Sequence, residues 1–325
     1  MKRIFSIFVV SFALVFSTSS FANKIGVIYD SGGKFDKSFN ELAYRTAERV
    51  KNELGWDMIE FEAANNTQIE QGMRKVADRG ANLVVAMGFA QADAVAAVAP
   101  QYPDVNFVAV DVCWVDDPAG NIYQACYKEH EGSFLVGMIA AMASKSGKIG
   151  FVGGMDIPLI RKFQGGYEQG ALYVNPDIEI HANMTGTTPE AWNNPTKGAE
   201  LTKAQIDKGA DVVYQAAGGT GIGVLQAAAD AGIMGIGVDT NQNYMHPGNM
   251  LTSMLKRLDL TIFEQAEKTA AGTFEPGIHI LGLAEGAVGY ATEDGMVTDE
   301  MAAAVEAAAA EIVSGAMSVA DWSQE

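Results

Sequence analysis

The chain has 325 residues, a formal net charge of −18 at pH 7 and a hydrophobic fraction of 48%. This acidic balance argues against nucleic acids and anionic membrane surfaces as partners, because a polyanion would be repelled. The length allows two lobes of ordinary domain size, each with its own apolar core.

The first residues have the pattern of an export signal. Lys2 and Arg3 precede an apolar run from Ile4 to Phe16, and small residues follow at the end of residues 1–22. The run is too short to span a bilayer as a helix, so we predict a signal peptide that is removed; a membrane anchor is the alternative. No cysteine lies near the cleavage point, which predicts a periplasmic protein without a lipid anchor, with a net charge of −20 after Lys2 and Arg3 are lost.

The rest of the chain repeats one pattern of apolar strands twice. Each copy has strands that end in glycine or aspartate, which predicts a parallel sheet with helices on both faces. The matching segments are Lys24–Asp30 with Lys148–Gly154, Gly80–Gly88 with Gly209–Gly218, and Phe107–Asp111 with Met234–Asp239. The fold class that we predict is therefore α/β, with two Rossmann-like lobes that face each other across a cleft.

Helices alternate with these strands. Ser38 and Glu41 form a predicted capping box at the start of the first helix, and Gly55 ends it. The other predicted helices are Gln68–Arg79, Ala90–Ala99, Glu131–Ser144, Ile160–Tyr173, Pro195–Lys208, Gly223–Ala231, Leu258–Ala271 and Asp299–Ser314. Further predicted strands are Met58–Glu60, Ile178–Ala182, Met250–Leu255 and Ile278–Leu281.

The chain continues beyond the second copy, which implies that it returns to the first lobe and then to the second. We predict lobe I at 23–132 plus 257–282 and lobe II at 133–256 plus 283–325. Three crossings would form a hinge that restrains twisting but permits opening and closing.

Two cysteines, Cys113 and Cys126, flank a turn region at 116–121. In an oxidising compartment such a pair usually forms a disulfide, which we predict here; two buried free thiols are the alternative. We predict no metal site, because His130 is the only histidine near them.

Ligands of open α/β sheets bind beyond the carboxyl ends of the strands. Carboxylates at that edge are suited to accept hydrogen bonds from hydroxyl groups, and glycines there let a ligand approach the backbone. The candidate residues are Asp30, Gly88 and Asp111 in the first lobe, and Gly218, Gly219 and Asp239 in the second.

Phe39 and Asn40 lie in the first turn of the first helix. The ring offers a flat surface for a planar base, and the amide offers a donor and an acceptor for the edge of that base. The alternative for Phe39 is a packing role at the start of the helix. Trp114 and Trp192 are further cleft candidates, although a structural role is favoured for both.

The glycine-rich loop at 218–223 does not match the dinucleotide-binding fingerprint, because its final glycine is missing. No motif of a nucleophile, of a zinc protease or of a redox dithiol occurs, and the four histidines are scattered. We therefore predict a binding protein with no catalytic residues and no cofactor.

The segment Asp30–Asn40, which reads DSGGKFDKSFN, resembles the N-terminal motif of the basic membrane protein family. These are substrate-binding proteins of ABC transporters, and purine nucleoside receptors belong to them. The resemblance covers nearly all of the mature chain. Further matching segments are Glu129–Gly137, Gly165–Gly170, Ala216–Gly221 and Gly237–Gln242.

The resemblance implies a type I periplasmic binding fold, a purine nucleoside or nucleobase held between the lobes, and a membrane ABC permease as partner of a monomeric protein. The lipid-bearing cysteine of many relatives is absent, and the Cys113–Cys126 segment departs from the family pattern. By resemblance, the base stacks on Phe39, its edge bonds Asn40, and Tyr214 or Trp192 supplies a second stacking ring. The resemblance also implies that the ribose contacts Asp30 and that its hydroxyls are held by Asp239 and Lys256. Backbone groups for the ligand are offered by Gly218 and Gly219.

Three alternatives stay open from the sequence. A sugar or autoinducer receptor on the same fold would bind ribose without needing the base. An exported nucleoside hydrolase would release free base and would need an acid or metal cluster. A sensor subunit would present its ligand to a membrane chemoreceptor.

Overall fold

The structure is a computed structural model that describes residues 22–63 and 65–324. The predicted signal peptide, apart from its last residue, lies outside these ranges. Within the described residues, no helix combines the length and apolar character needed to cross a membrane.

Twelve strands of the described chain form two six-stranded sheets. The first sheet has the order β11-β5-β4-β3-β1-β2 and is parallel throughout, whereas in the second, β12-β10-β9-β8-β6-β7, only β12 runs antiparallel. The strands are β1 (Lys24–Tyr29), β2 (Asp57–Glu62), β3 (Leu83–Met87), β4 (Asn106–Val110), β5 (Ile122–Tyr127), β6 (Lys148–Met155), β7 (Glu179–Gly186), β8 (Val212–Ala216), β9 (Met234–Asp239), β10 (Met250–Lys256), β11 (Gly277–Leu281) and β12 (Val288–Tyr290).

Helices cover the faces of both sheets, as expected for parallel strands whose two faces are apolar. The two C-terminal helices begin and end at the predicted residues, and the other helices differ from the prediction by a few residues at their ends. They are α1 (Phe39–Leu54), α2 (Ile69–Asp78), α3 (Ala92–Val98), α4 (Glu129–Ala143), α5 (Pro158–Val174), α6 (Pro195–Asp207), α7 (Thr220–Asp230), α8 (Leu258–Ala271) and α9 (Asp299–Ser314).

The chain passes between the two lobes three times. The crossings lie between β5 and α4, between β10 and α8, and between β11 and β12. Helix α8 packs on α1 and β4 of the first lobe, whereas α9 packs on α4 of the second. The predicted fold class, two α/β lobes joined by three segments, is confirmed.

The predicted capping box at Ser38 is wrong in its chemistry. Ser38 does precede α1, but its side chain makes no capping bond, and Glu41 forms ion pairs with Lys37 and Arg45. The carboxylate of Asp36 accepts the backbone N–H groups of Ser38, Asn40 and Glu41 instead. A carboxylate at a helix N-terminus satisfies these donors and complements the helix dipole.

Helices α4 and α5 pack through glycines at very close range. A Cβ atom at Gly170 would lie 2.0 Å from the carbonyl oxygen of Phe134, and one at Gly137 would lie 2.1 Å from that of Tyr167. The opposing atoms belong to the backbone, so a side-chain rotation cannot relieve the clash.

We predict that Gly170→Ala destabilises the protein by about 1–3 kcal/mol, because α4 and α5 must separate. The gain in helix propensity, about 1 kcal/mol, is too small to offset this. Gly289→Ala is the matched control, since no atom lies within 4 Å of a Cβ there. Urea unfolding of both variants measures the effect, and equal stability of the two would contradict the packing argument.

The predicted disulfide between Cys113 and Cys126 is confirmed, with 5.7 Å between the two Cα atoms. It joins the chain that follows β4 to strand β5, across the turn region that the sequence indicated.

Replacing both cysteines by serine is predicted to cost about 3 kcal/mol, because the bond closes a loop of roughly 15 residues in the unfolded chain. Thermal unfolding of the double variant and of the oxidised protein tests this. If the protein is equally stable without the bond, the loop has little freedom in the unfolded state.

Candidate functional site

A cavity lies between the lobes, at the carboxyl ends of both sets of parallel strands. Its empty space is about 550 Å³, counting the part open to solvent. Seven of the nine predicted binding residues line it: Asp30, Phe39, Gly88, Asp111, Gly218, Asp239 and Lys256. The strand-end rule thus located the cavity because the repeated lobes place equivalent strand ends opposite each other.

The other two predicted residues, Asn40 and Gly219, do not line the cavity. The Asn40 amide nitrogen donates to the Asp30 carboxylate at 2.6 Å, and its oxygen accepts the Asp30 backbone N–H at 3.1 Å. Asn40 is fully buried, and these two bonds orient Asp30, while a contact of Asn40 with a ligand stays a prediction. Gly219 lies between the two lobes: a Cβ atom there would lie 3.2 Å from the carbonyl oxygen of Trp192 in its own lobe and 3.4 Å from that of Gly32 in the other.

The two lobes touch each other directly beside the cavity. The Ser38 hydroxyl, from the first lobe, makes a short hydrogen bond to the Asp239 carboxylate of the second. The side-chain amide of Gln242 donates to the carbonyl of Lys37 across the cleft at 2.9 Å. These bonds join residues about 200 positions apart, so the structure shows the lobes closed against each other.

Asp111 and Asp239 occupy equivalent places, directly after β4 and at the end of β9. Both have left-handed backbones, with φ of 62° and 65°. Such a conformation is uncommon outside glycine, although aspartate tolerates it better than most residues. Strained backbone at two equivalent positions beside one cavity is typical of a site in which side-chain direction matters.

Lys256 is the centre of a buried ionic cluster. Its ammonium lies 2.6 Å from Asp111 and 2.9 Å from Glu129, and Glu129 also pairs with Lys162 at 2.7 Å. Lys256 is only 1% exposed. Asp111 belongs to the first lobe. The other three residues belong to the second, since the chain crosses before α4 and not at the predicted boundary of residue 132, so the cluster bridges the two lobes.

Burial opposes the ionisation of these carboxyl groups. Burial raises the pKa values of Asp30, Asp111 and Asp239. The charge of Lys256 opposes this rise at Asp111 and Asp239, and the hydrogen bond from the Asn40 amide opposes it at Asp30, but all three pKa values stay above the ordinary value. Burial also opposes the ionisation of Glu129, but the charges of Lys256 and Lys162 hold its pKa below the ordinary value. A hydroxyl donor from a ligand would favour the ionised form of each acid.

Aromatic rings form the apolar side of the cavity. Phe39, Phe163 and Trp192 line it, and the Lys256 ammonium lies 5.4 Å from the centre of the Phe39 ring and 5.7 Å from that of Phe163. Tyr214, one of the two predicted second rings, is instead fully buried against other aromatic residues. Trp192, the other, does line the cavity.

Sequence reasoning missed three positions of the candidate site. Phe163 gave no signal because an aromatic residue inside an amphipathic helix reads as core. Asp36 and Glu129 lie in segments that resemble the family pattern, without an assigned role. Glu129 is the first residue of α4, where a completely buried acid signals a charged partner.

The cavity therefore offers carboxylates and one ammonium for hydroxyl groups, and flat rings for a planar apolar group. Its acids outnumber its lysine, which disfavours an anionic ligand. Across residues 22–63 and 65–324, no three histidine, cysteine or acidic side chains are grouped to hold a metal ion.

Comparison with known proteins places this cavity in context. The model of the family described as ABC transporter substrate-binding protein PnrA-like matches residues 22–323. Basic membrane protein A2 of Borrelia garinii is 33% identical over 89% of this chain and 86% of its own length. The ABC transporter nucleoside-binding protein BmpA of Lactococcus lactis is 31% identical, over 91% of this chain and 88% of its own.

Solved structures agree. An ABC transporter solute-binding protein of Aeropyrum pernix superposes with a TM-score of 0.83 at 26% identity, over 92% of this chain and 93% of that one. A solute-binding protein of Conexibacter woesei gives 0.74 at 27% identity, over 93% and 99%.

Proposed function

Because the chain belongs to the PnrA-like family of ABC transporter substrate-binding proteins, we propose that its ligand is a purine nucleoside, held in the cavity between the lobes. The observation that carries this proposal is the pairing of flat rings with buried hydroxyl acceptors in one closed cleft. The Lactococcus lactis relative is named a nucleoside-binding protein, which supports the proposal.

In this proposal the base stacks on Phe39, with Trp192 or Phe163 as the second ring, and Asp30 contacts the ribose. The sugar lies toward Asp239, Lys256 and Asp111. Ligand contacts from both lobes favour the closed state, which the membrane permease then recognises.

Thermal unfolding of ligand-free mature protein with inosine, adenosine, guanosine, free purine bases and ribose tests the proposal. A nucleoside at 100 times its dissociation constant should stabilise the protein by about 2.7 kcal/mol. A rise in the unfolding temperature with nucleosides and not with ribose supports a nucleoside receptor. A rise with ribose alone would instead favour the sugar-receptor alternative, and a response to the free bases would move the proposal to nucleobases.

We also propose that the protein leaves its ligand chemically unchanged and acts as a periplasmic monomer without a lipid anchor. Chromatography of a nucleoside after incubation with the protein tests the first part, because a hydrolase would release free base. Mass and sedimentation measurements on the protein purified from the periplasm test the remainder.

A further inference from the structure

A second and larger cavity adjoins the first. It lies between the lobes on the side of the hinge and holds about 1450 Å³ of empty space, counting the part open to solvent. It is lined from the first lobe by the disulfide and Trp114, and from the second by Ile157 and Pro158. The proposed function leaves this space unused.

The two cavities share part of their lining. Phe89, Asp111 and Leu159 line both of them. Phe89 follows β3 in the first lobe, Leu159 lies in the first turn of α5 in the second, and both are partly exposed. The two apolar residues come from opposite lobes, so opening of the lobes would move them apart.

The walls of the second cavity are mainly apolar. Trp114 is 62% exposed and Ile280 is 54% exposed, which is high for side chains of this size. The adjacent disulfide fixes the backbone beside Trp114. Charged residues of both signs also line this cavity: Asp111, Lys128, Glu129, Lys162 and Asp321. Asp111 and Glu129 pair with lysines, and Lys128 pairs with Glu131, so an uncharged apolar group is the occupant that fits.

The shared wall also determines which end of the ligand meets the second cavity. Asp111, which the proposed function places on the sugar side, is one of the shared residues, and its partner Lys256 lines the first cavity. Phe39 and Trp192, the rings proposed to hold the base, line the first cavity and not the second. A group that extends from the sugar would therefore reach Leu159 and Trp114.

We propose that the second cavity is a subsite for an apolar substituent on the sugar of the ligand. The protein then accepts purine nucleosides whose 5′ carbon carries an apolar alkyl or aryl group, as well as unsubstituted nucleosides. This inference rests on the proposed nucleoside function and extends it to a class of modified ligands.

Calorimetric titration with adenosine and with 5′-benzylthio-5′-deoxyadenosine tests the subsite. We expect the wild-type protein to bind the benzylthio compound at least as tightly as adenosine. In Trp114→Ala the affinity for the benzylthio compound should fall about tenfold, because contact with the exposed ring is lost, while adenosine binding stays unchanged. Tyr173→Ala, which removes a ring that is 57% exposed on α5, is the control.

The outcomes separate the two proposals. If adenosine binds but the benzylthio compound binds more than tenfold more weakly, or if Trp114→Ala changes both affinities equally, the subsite is wrong and the nucleoside function stands. If neither compound binds, the nucleoside function fails and the subsite falls with it.

Discussion

Replacing Lys256 by methionine is expected to destabilise the protein by about 3–5 kcal/mol and to weaken ligand binding. The substitution removes the ammonium that lies 2.6 Å from Asp111 and 2.9 Å from Glu129, and leaves uncompensated buried carboxylates. Breaking a buried ion pair from one side has this cost because the remaining charge loses both water and partner. Urea unfolding gives the free energy, and calorimetry gives the affinity.

The loss in Lys256→Met should depend on pH. Without the ammonium, the pKa values of Asp111 and Asp239 in the folded protein rise further above the unfolded values near 4. A raised carboxyl pKa contributes stability that is present below the unfolded pKa and is lost as the pH rises through the folded one. The variant should therefore lie closer to wild type at pH 5 than at pH 8.

Lys268→Met is the matched control for this experiment. Lys268 also pairs with two acids, Glu264 and Glu275, but at the surface, where such pairs contribute about 0–1 kcal/mol. A deficit in Lys256→Met that is as small as in this control, or the same at pH 5 and pH 8, would show that the buried cluster is not a source of stability.

Phe39→Ala is expected to reduce the affinity for a purine nucleoside about 5- to 150-fold. Stacking of a base on an aromatic side chain contributes about 1–3 kcal/mol, and the alanine removes the whole surface. The ring lines the cavity and lies near Gly88, where a Cβ atom would be 3.7 Å from it. Calorimetric titration with inosine measures the change.

Phe35→Ala provides the comparison, because Phe35 is 60% exposed and its ring contacts Tyr44. We expect this variant to bind inosine as the wild type does. Unchanged affinity in Phe39→Ala would return Phe39 to the alternative role of packing the start of α1, and the base would then stack on Trp192 and Phe163.

Secondary structure was predictable where strands are continuous apolar runs. Strand β5 (Ile122–Tyr127) was missed, because Gln124 interrupts its apolar pattern. The side chain of Gln124 is buried and bonds both the N–H and the carbonyl of Val115, at 2.9 and 2.7 Å. A polar residue satisfied in this way cannot be distinguished from a solvent-facing one by sequence, since its partner depends on the tertiary fold.

The candidate site was predictable only in part. The strand-end rule selected Asp30, Asp111 and Asp239, and all three line the cavity. It could not show that the Asn40 amide is hydrogen-bonded to Asp30, or that Glu129, at the start of α4, forms an ion pair with Lys256. Both are contacts between side chains, whose direction no local pattern reveals.

The sequence by itself determined the α/β class, the two repeated lobes and the strand ends at which a ligand could bind, because buried parallel strands require apolar runs at regular spacing. The tertiary structure alone decided which polar groups face the cavity and which satisfy one another. The bond from Lys256 to Asp111 joins residues 145 positions apart. Such a pair forms only when the closed lobes bring both charges together and exclude water from them.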